Sequence, residues 1–413
     1  MAGFSKKVMI QEDTMYQLLL VIIYLAFISL GLPDALLGSA WPSMYGELDA
    51  AVSYAGIISM IIAGGTIISS ILSDRLIRRM GTGAVTALSV AMTAAALFGF
   101  SSSRTFLQLC IWGIPYGLGA GSVDAALNNF VAIHYKSRHM SWLHCFWGIG
   151  ATAGPYIMGL CLARGLRWNF GYMSVGIIQV VLVAVLVLAL PLWKSKRGSK
   201  AENADAGKKI GIGGALRLPG AKAVLASFFC YCSLEATAGL WASSYMVLHK
   251  GISAGTAAKW ASLFYLGITA GRLICGFVTD RMGDRNMVRC GQAAACTGAV
   301  LMLAAAGDRA VLAGLVMVGL GCAPIYPSLL HETPDNFGTE YSQSMMGMQM
   351  ACAYMGSTFM PLLFGLLGER ISIGLYPVCL LAFAGSMIMM TERVGRIHVG
   401  KNNRFTHAQL LQR

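Results

Sequence analysis

Charge is scarce in this chain. Asp, Glu, Lys and Arg make up 12% of its 413 residues, against roughly 25% in a soluble domain. Other absences narrow the field further. The eleven cysteines are odd in number and contain no Cys-x-x-Cys pair, so neither a disulfide framework nor a zinc site is indicated; they read as small core residues. Gly-x-Ser-x-Gly is missing and no nucleophile–base pair stands out, which argues against an enzyme. His134, His139 and His144 are evenly spaced, but five residues turn a helix by ~140° per step, so the three do not share a face. No metal and no cofactor is expected. The net charge of +13 invites a nucleic-acid reading, which the distribution of those charges removes.

What is abundant is apolar sequence: 56% of the chain, with a mean hydropathy of +0.64. It comes in blocks of about twenty residues, each long enough to cross a ~30 Å hydrocarbon core as a helix. Twelve blocks can be drawn, at roughly 15–41, 51–73, 82–101, 105–133, 141–163, 171–193, 221–248, 254–279, 288–307, 309–331, 342–368 and 371–391. The expectation is an all-α, multi-pass membrane protein whose standing partner is the lipid bilayer. Lys6 and Lys7 followed by polar residues read as a cytoplasmic start and not as a cleavable signal. That start places 23 basic residues on the cytoplasmic side and seven on the other, as the positive-inside rule requires. Both termini are then cytoplasmic, in a plasma (inner) membrane, and the basic residues are solvated loops facing anionic lipid. A monomer is expected.

The polar stretch 194–214 divides the blocks into two sets of six. The reading is an N-terminal bundle at 1–193, a cytoplasmic linker at 194–220, a C-terminal bundle at 221–391 and a tail at 392–413. The halves carry matching signals. "GGTIISSILSDRLIRRMG" (64–81) closes the second block and "GRLICGFVTDRMGDR" (271–285) the eighth. In each, a glycine stands nine residues before an Asp-Arg pair: Gly65 before Asp74 and Arg75, with Arg78 following, and Gly271 before Asp280 and Arg281. Self-similarity at half the chain length indicates two copies of one unit. The glycines allow neighbouring helix backbones to approach closely.

This pattern resembles the loop signature of the major facilitator superfamily. The resemblance covers the whole chain and implies two pseudo-symmetric six-helix bundles rocking around a central cavity. The two Asp-Arg loops would then form a cytoplasmic gate.

Three acids stand well inside apolar blocks: Asp34, Asp124 and Glu235. A charge at that depth is costly, so such residues usually face an internal cavity and act there. A buried carboxyl also holds its proton more tightly than one in water. All three are therefore candidates for proton coupling. Arg272 and Lys259, the bases nearest them in the blocks, are placed towards the ends of their span, leaving few partners for a purely structural role. Asn128 shares a helix face with Asp124, and a Gly-x-Pro break precedes Asp34.

These segments are similar to a narrower family, the fucose–galactose–glucose:proton symporters. Pro33-Asp34-Ala35-Leu36-Leu37 matches that family's first-span Asn-Asp-x-Leu-Leu, and Asp124-Ala125-Ala126-Leu127-Asn128-Asn129-Phe130 its fourth-span acid, small residues, Asn and aromatic. The resemblance places Asp34 and Asp124 on the family's two functional carboxylates. His144 and Trp147 replace fifth-span amides, and Glu235 replaces a seventh-span amide near Trp241. Candidate substrate groups are Asn128, Asn129, His144, Trp147, Trp241, Tyr326, His331 and Gln349, the amides, imidazoles and aromatic faces that grip a small polyhydroxy solute.

The expected function is proton-coupled import of a small neutral solute, a monosaccharide first among candidates. A proton-coupled efflux antiporter and a non-transporting sugar sensor are the alternatives. The orientation is testable at once: a fluorescent protein fused to the C-terminus should mature and a phosphatase fused there should be inactive. The reverse pair of results would invert the topology.

Overall fold

A computed structural model describes residues 2–134, 137–194, 212–304 and 307–411, and among them no strand occurs. The helices of the first half are α1 (Ala2–Asp34), α2 (Leu36–Met44), α3 (Tyr54–Met80), α4 (Thr82–Ser102), α5 (Phe106–His134), α6 (Ser137–Ala163), α7 (Trp168–Leu188) and α8 (Leu190–Lys194). After α9 (Ile212–Ala215), the second half has α10 (Ala221–Leu248), α11 (Ala254–Met282), α12 (Asp284–Ala304), α13 (Asp308–His331), α14 (Thr333–Phe337), α15 (Thr339–Leu367) and α16 (Tyr376–Leu411). Most of the linker, 195–211, lies outside the described residues.

Among the described residues, ten stretches are long and apolar enough to cross a membrane, and Tyr54–Ser70 of α3 is a shorter apolar stretch. Met345–Ile397 runs as one stretch across the turn at Gly368–Leu375, where the sequence shows two blocks.

The chain forms two all-α bundles. In the first, α5 packs on α3 and α4, and α6 on α1; in the second, α13 packs on α11 and α12, and α10 on α15 and α16. The repeat seen in the sequence is a repeat of packing. A Cβ on Gly65 would stand 3.1 Å from the Gly117 backbone, so α3 and α5 nearly touch there. A Cβ on Gly271 would stand 2.5 Å from that of Ala323, where α11 meets α13. Each pair recurs at an offset of 206 residues, 65 to 271 and 117 to 323. Small residues are what permit such contacts where lipid supplies no hydrophobic drive between helices.

The bundles meet along α6 and α11, α3 and α15, and where α2 packs on α10 and α11. At the end carrying loops 45–53 and 249–253 they are closely apposed. Gly38 lies against the backbone of Leu240, Gly56 against Leu362, and the Ser53 N–H donates to Glu369 at 3.3 Å.

The break between α1 and α2 has a local cause. Pro33 has no N–H, so the Ser29 carbonyl, four residues earlier, loses its helical donor. Gln179 of α7, fully buried, replaces it: its Nε2 donates to the Ser29 carbonyl, and the Ser29 hydroxyl donates to its Oε1. One side chain thus repairs the helix. Without it a carbonyl would be orphaned in the apolar layer.

Gln179→Leu should lower stability by about 1–3 kcal/mol, the cost of an unsatisfied buried group, read as a lower Tm in detergent. Adding Pro33→Ala should recover much of the loss by returning a helical N–H. An unchanged Tm in the single variant would show that the Ser29 carbonyl does not depend on Gln179.

Candidate functional site

Asp34 is the last residue of α1, immediately before the break at Ala35 (φ −100°, ψ 2°). Pro33 and Leu36 on either side are buried, yet Asp34 is exposed, although it lies within the apolar Gln17–Met44 stretch. Its two oxygens are taken by different helices. Tyr116 of α5 donates its hydroxyl to Oδ1 at 2.9 Å, and Trp147 of α6 donates its indole N–H to Oδ2 at 2.8 Å. Two donors on an ionised acceptor make charge-assisted bonds, stronger than neutral ones.

Trp147 also faces the second bundle. Tyr265 of α11 meets its ring edge-on, with centroids 6.4 Å apart, and the Arg272 guanidinium lies 5.7 Å from its ring centroid. Arg272 in turn stands 3.8 Å from Glu235 of α10. The result is a line of alternating groups, Asp34–Trp147–Arg272–Glu235, crossing from one bundle to the other.

Here the structure corrects an expectation. Arg272 is not a base without an acidic partner. It is largely buried and pairs with Glu235, so Glu235 has a cationic neighbour that the sequence reading did not give it.

Asp124 lies two turns beyond Tyr116 on α5. Asn128, one turn further, donates Nδ2 to Asp124 Oδ1 at 2.8 Å and to its carbonyl at 3.0 Å. Asp34 of α1, Tyr326 of α13 and Tyr354 of α15 are all within electrostatic range of Asp124. His144, one turn before Trp147, is half-buried, with its ring edge towards Phe27 of α1 and within reach of the Arg272 charge.

The remaining expected binding residues are placed elsewhere. Trp241 is fully buried, donating to the Pro361 carbonyl at 2.8 Å and stacked edge-on with Phe364, which makes it packing between α10 and α15. Gln349, also buried, bonds the Thr333 hydroxyl at 2.9 Å. His331 ends α13, where its exposed ring pairs with Asp284 at 2.6 Å. Tyr326 is intermediate: its hydroxyl meets Met350 Sδ at 3.0 Å and its ring abuts Phe228 and Tyr231. Gly65 and Gly271 are helix-packing positions, as described, and Arg75 and Arg281 are exposed. The side chains of Asn129, Asp74, Arg78 and Asp280 lie outside the described residues.

Tyr116 and Tyr265 were missed in the sequence. Tyr116 carried a usable signal, since it precedes Asp124 by eight residues on one helix, near the two-turn repeat of a helix face. Arg272 was visible, but its pairing with Glu235 was not.

The comparisons with known proteins bear on this architecture. The sequence matches the Major Facilitator Superfamily over residues 23–221 and 223–394. It is 20% identical over 356 residues to the glucose/mannose transporter GlcP of Bacillus subtilis, covering 83% of this chain and 86% of that one. It is 21% identical over 301 residues to the bypass of stop codon protein 6 of Saccharomyces cerevisiae, covering 67% of this chain but 60% of the yeast protein. A crystal structure of the nucleoside transporter NupG superposes with a TM-score of 0.71 at 15% identity, covering 91% of this chain and 98% of that one.

The exposure of Asp34 can be tested by labelling. In a variant lacking the exposed Cys290, Asp34→Cys should react with a charged, water-soluble thiol reagent at least tenfold faster than Leu36→Cys, whose position is fully buried. Equal rates would mean that water does not reach Asp34.

Proposed function

The chain belongs to the major facilitator superfamily, and from that premise we propose that it imports a small neutral solute, a monosaccharide, together with a proton by alternating access. The observation that carries this reading is the pair of carboxylates, Asp34 and Asp124, each inside a stretch long and apolar enough to cross a membrane. Asp34 is gripped by two donors and Asp124 by Asn128. Acids at such a place are a usual means of moving protons through a membrane.

In this reading Asp124 carries the proton, Asp34 relays it, and Glu235 serves the coupling through its counter-ion Arg272. Protonation alters the relative stability of the inward- and outward-facing states, and only a difference of that kind can drive a conformational change. Tyr116, Asn128, His144 and Trp147 supply donors, acceptors and an aromatic face of the kind that holds a polyhydroxy ring. The similarity to a glucose/mannose transporter supports a sugar as the solute. The Asp74–Arg75 and Asp280–Arg281 segments form the cytoplasmic gate, and the residues up to 193 and from 221 to 391 form the two rocking units. The protein works in a plasma membrane with both ends in the cytoplasm.

The test is uptake in proteoliposomes with a panel of labelled hexoses and deoxyhexoses, recording external pH. Wild type should accumulate one of them while the medium turns alkaline. Asp124→Asn should lose proton-driven accumulation, at least tenfold, and keep part of the exchange activity. Accumulation at the wild-type level in that variant would remove Asp124 from the coupling. Acidification of the medium as solute enters, or alkalinisation as it leaves, would identify a proton antiporter instead.

A further inference from the structure

Trp147 and Arg272 lie between the carboxylates of one bundle and the acid of the other, and their geometry gives them a task beyond gripping a solute. Trp147 belongs to α6 and Arg272 to α11, the two helices of the longest seam between the bundles. Along that seam the helices pack closely. Gly148 leaves no room for a Cβ against Thr269, nor Gly159 against Lys259 and Gly255. Trp147 adjoins the first of these contacts, and Arg272 is one turn along α11 from Thr269.

An indole that gives its N–H to an ionised carboxylate is anchored by a charge-assisted bond, roughly twice as strong as a bond to a neutral acceptor. The same bond pushes electron density into the ring, whose face attracts a cation. The anion at one edge of Trp147 and the cation at its face therefore reinforce each other. Arg272 is shared, with its guanidinium 5.7 Å from the indole centroid and 3.8 Å from Glu235.

We infer that Trp147 and Arg272 are positioning residues through which the second bundle senses the charge on Asp34. With Asp34 ionised, the indole is held and Arg272 is divided between it and Glu235. With Asp34 protonated, the indole loses its stronger anchor, Arg272 passes to Glu235, and this turn of the seam is released. The physiological role of the link rests on the proton-coupled reading above; its chemistry does not.

Other titratable groups face the link and belong in its pH response. Tyr116 of α5 and Tyr265 of α11 flank Asp34, and the charge of Asp124 reaches it. Arg272 is faced by His144 and Cys145 of α6, by Tyr231, Cys232 and Glu235 of α10, and by Cys322 and Tyr326 of α13. Asp34 is the group that accepts the Trp147 N–H.

The test needs no solute. In purified full-length protein in nanodiscs, the fluorescence of wild type minus that of Trp147→Phe isolates one indole. That difference should change as the pH is lowered from neutral. It should be flat in Asp34→Asn, paired with Asp34→Asn/Trp147→Phe. In Arg272→Gln, similarly paired, its amplitude should fall by at least about twofold, since the ring face has lost its cation. Arg272→Lys, which keeps charge without the planar guanidinium, should fall between, and it carries the test if Arg272→Gln does not fold. A wild-type difference that ignores pH, an Asp34→Asn variant that titrates like wild type, or an amplitude untouched in both Arg272 variants would overturn the inference. Failure of the import reading is seen separately: no panel sugar accumulates, while the indole still titrates.

Discussion

A hydrocarbon layer offers nothing to a polar group, so each one the chain carries into the membrane has to be met by another part of the chain. Most of what is distinctive in this structure follows from that demand. The Ser29 carbonyl, deprived of its donor by Pro33, is met by Gln179. Asp34 is met by Tyr116 and Trp147, Arg272 by Glu235, and the Trp241 indole by a carbonyl of α15. Apart from the Arg272–Glu235 pair, which joins the consecutive α10 and α11, each of these matches ties helices that are distant in sequence. The polar groups are few, and for that reason they decide which helices stand beside which.

The two bundles share a scaffold and differ in what they hold. Gly65 and Gly271 recur at the repeat offset, as do the residues they pack on, Gly117 and Ala323. The polar residues do not recur. At the same offset, Asp34 corresponds to Leu240, Tyr116 to Cys322 and Asp124 to Leu330. Conversely, Glu235 corresponds to Ser29 and Arg272 to Thr66. The close-packing positions are common to both copies, whereas Asp34 and Asp124 belong to the first bundle and the Arg272–Glu235 pair to the second. A symmetrical frame thus surrounds an electrically asymmetric centre.

Much of this was legible in the sequence, and the reasons are physical. Apolar blocks of spanning length, the bias of Lys and Arg between loops and the Gly-x8-Asp-Arg repeat are local signals, and they led to the fold. Asp34 and Asp124 were found because an acid is conspicuous in apolar sequence. What a side chain faces is a matter of helix rotation and tertiary contact, and there the sequence was less informative. Trp241 and Gln349 resemble Trp147 and Asn128 in composition and surroundings, yet they are turned into packed seams. His331 was read as interior but lies at a helix end beside Asp284. The Arg272–Glu235 pair was overlooked because the sequence does not tell which neighbouring helix the guanidinium meets. Gln179 was overlooked, since a single amide within an apolar block gives no hint of which distant carbonyl it serves.

The proline at position 33 has a mechanical consequence. Gln179 fastens α1 to α7, the first and last long helices of the bundle. The short α2, just past the break, lies against α10 and α11 of the other bundle. The same α2 also packs on α6 and α7 of its own bundle. One nominal span therefore changes neighbours at Asp34: before the break it packs on α5, α6 and α7, and after it the chain is wedged between the two bundles. The carboxylate held by Tyr116 and Trp147 stands at that change.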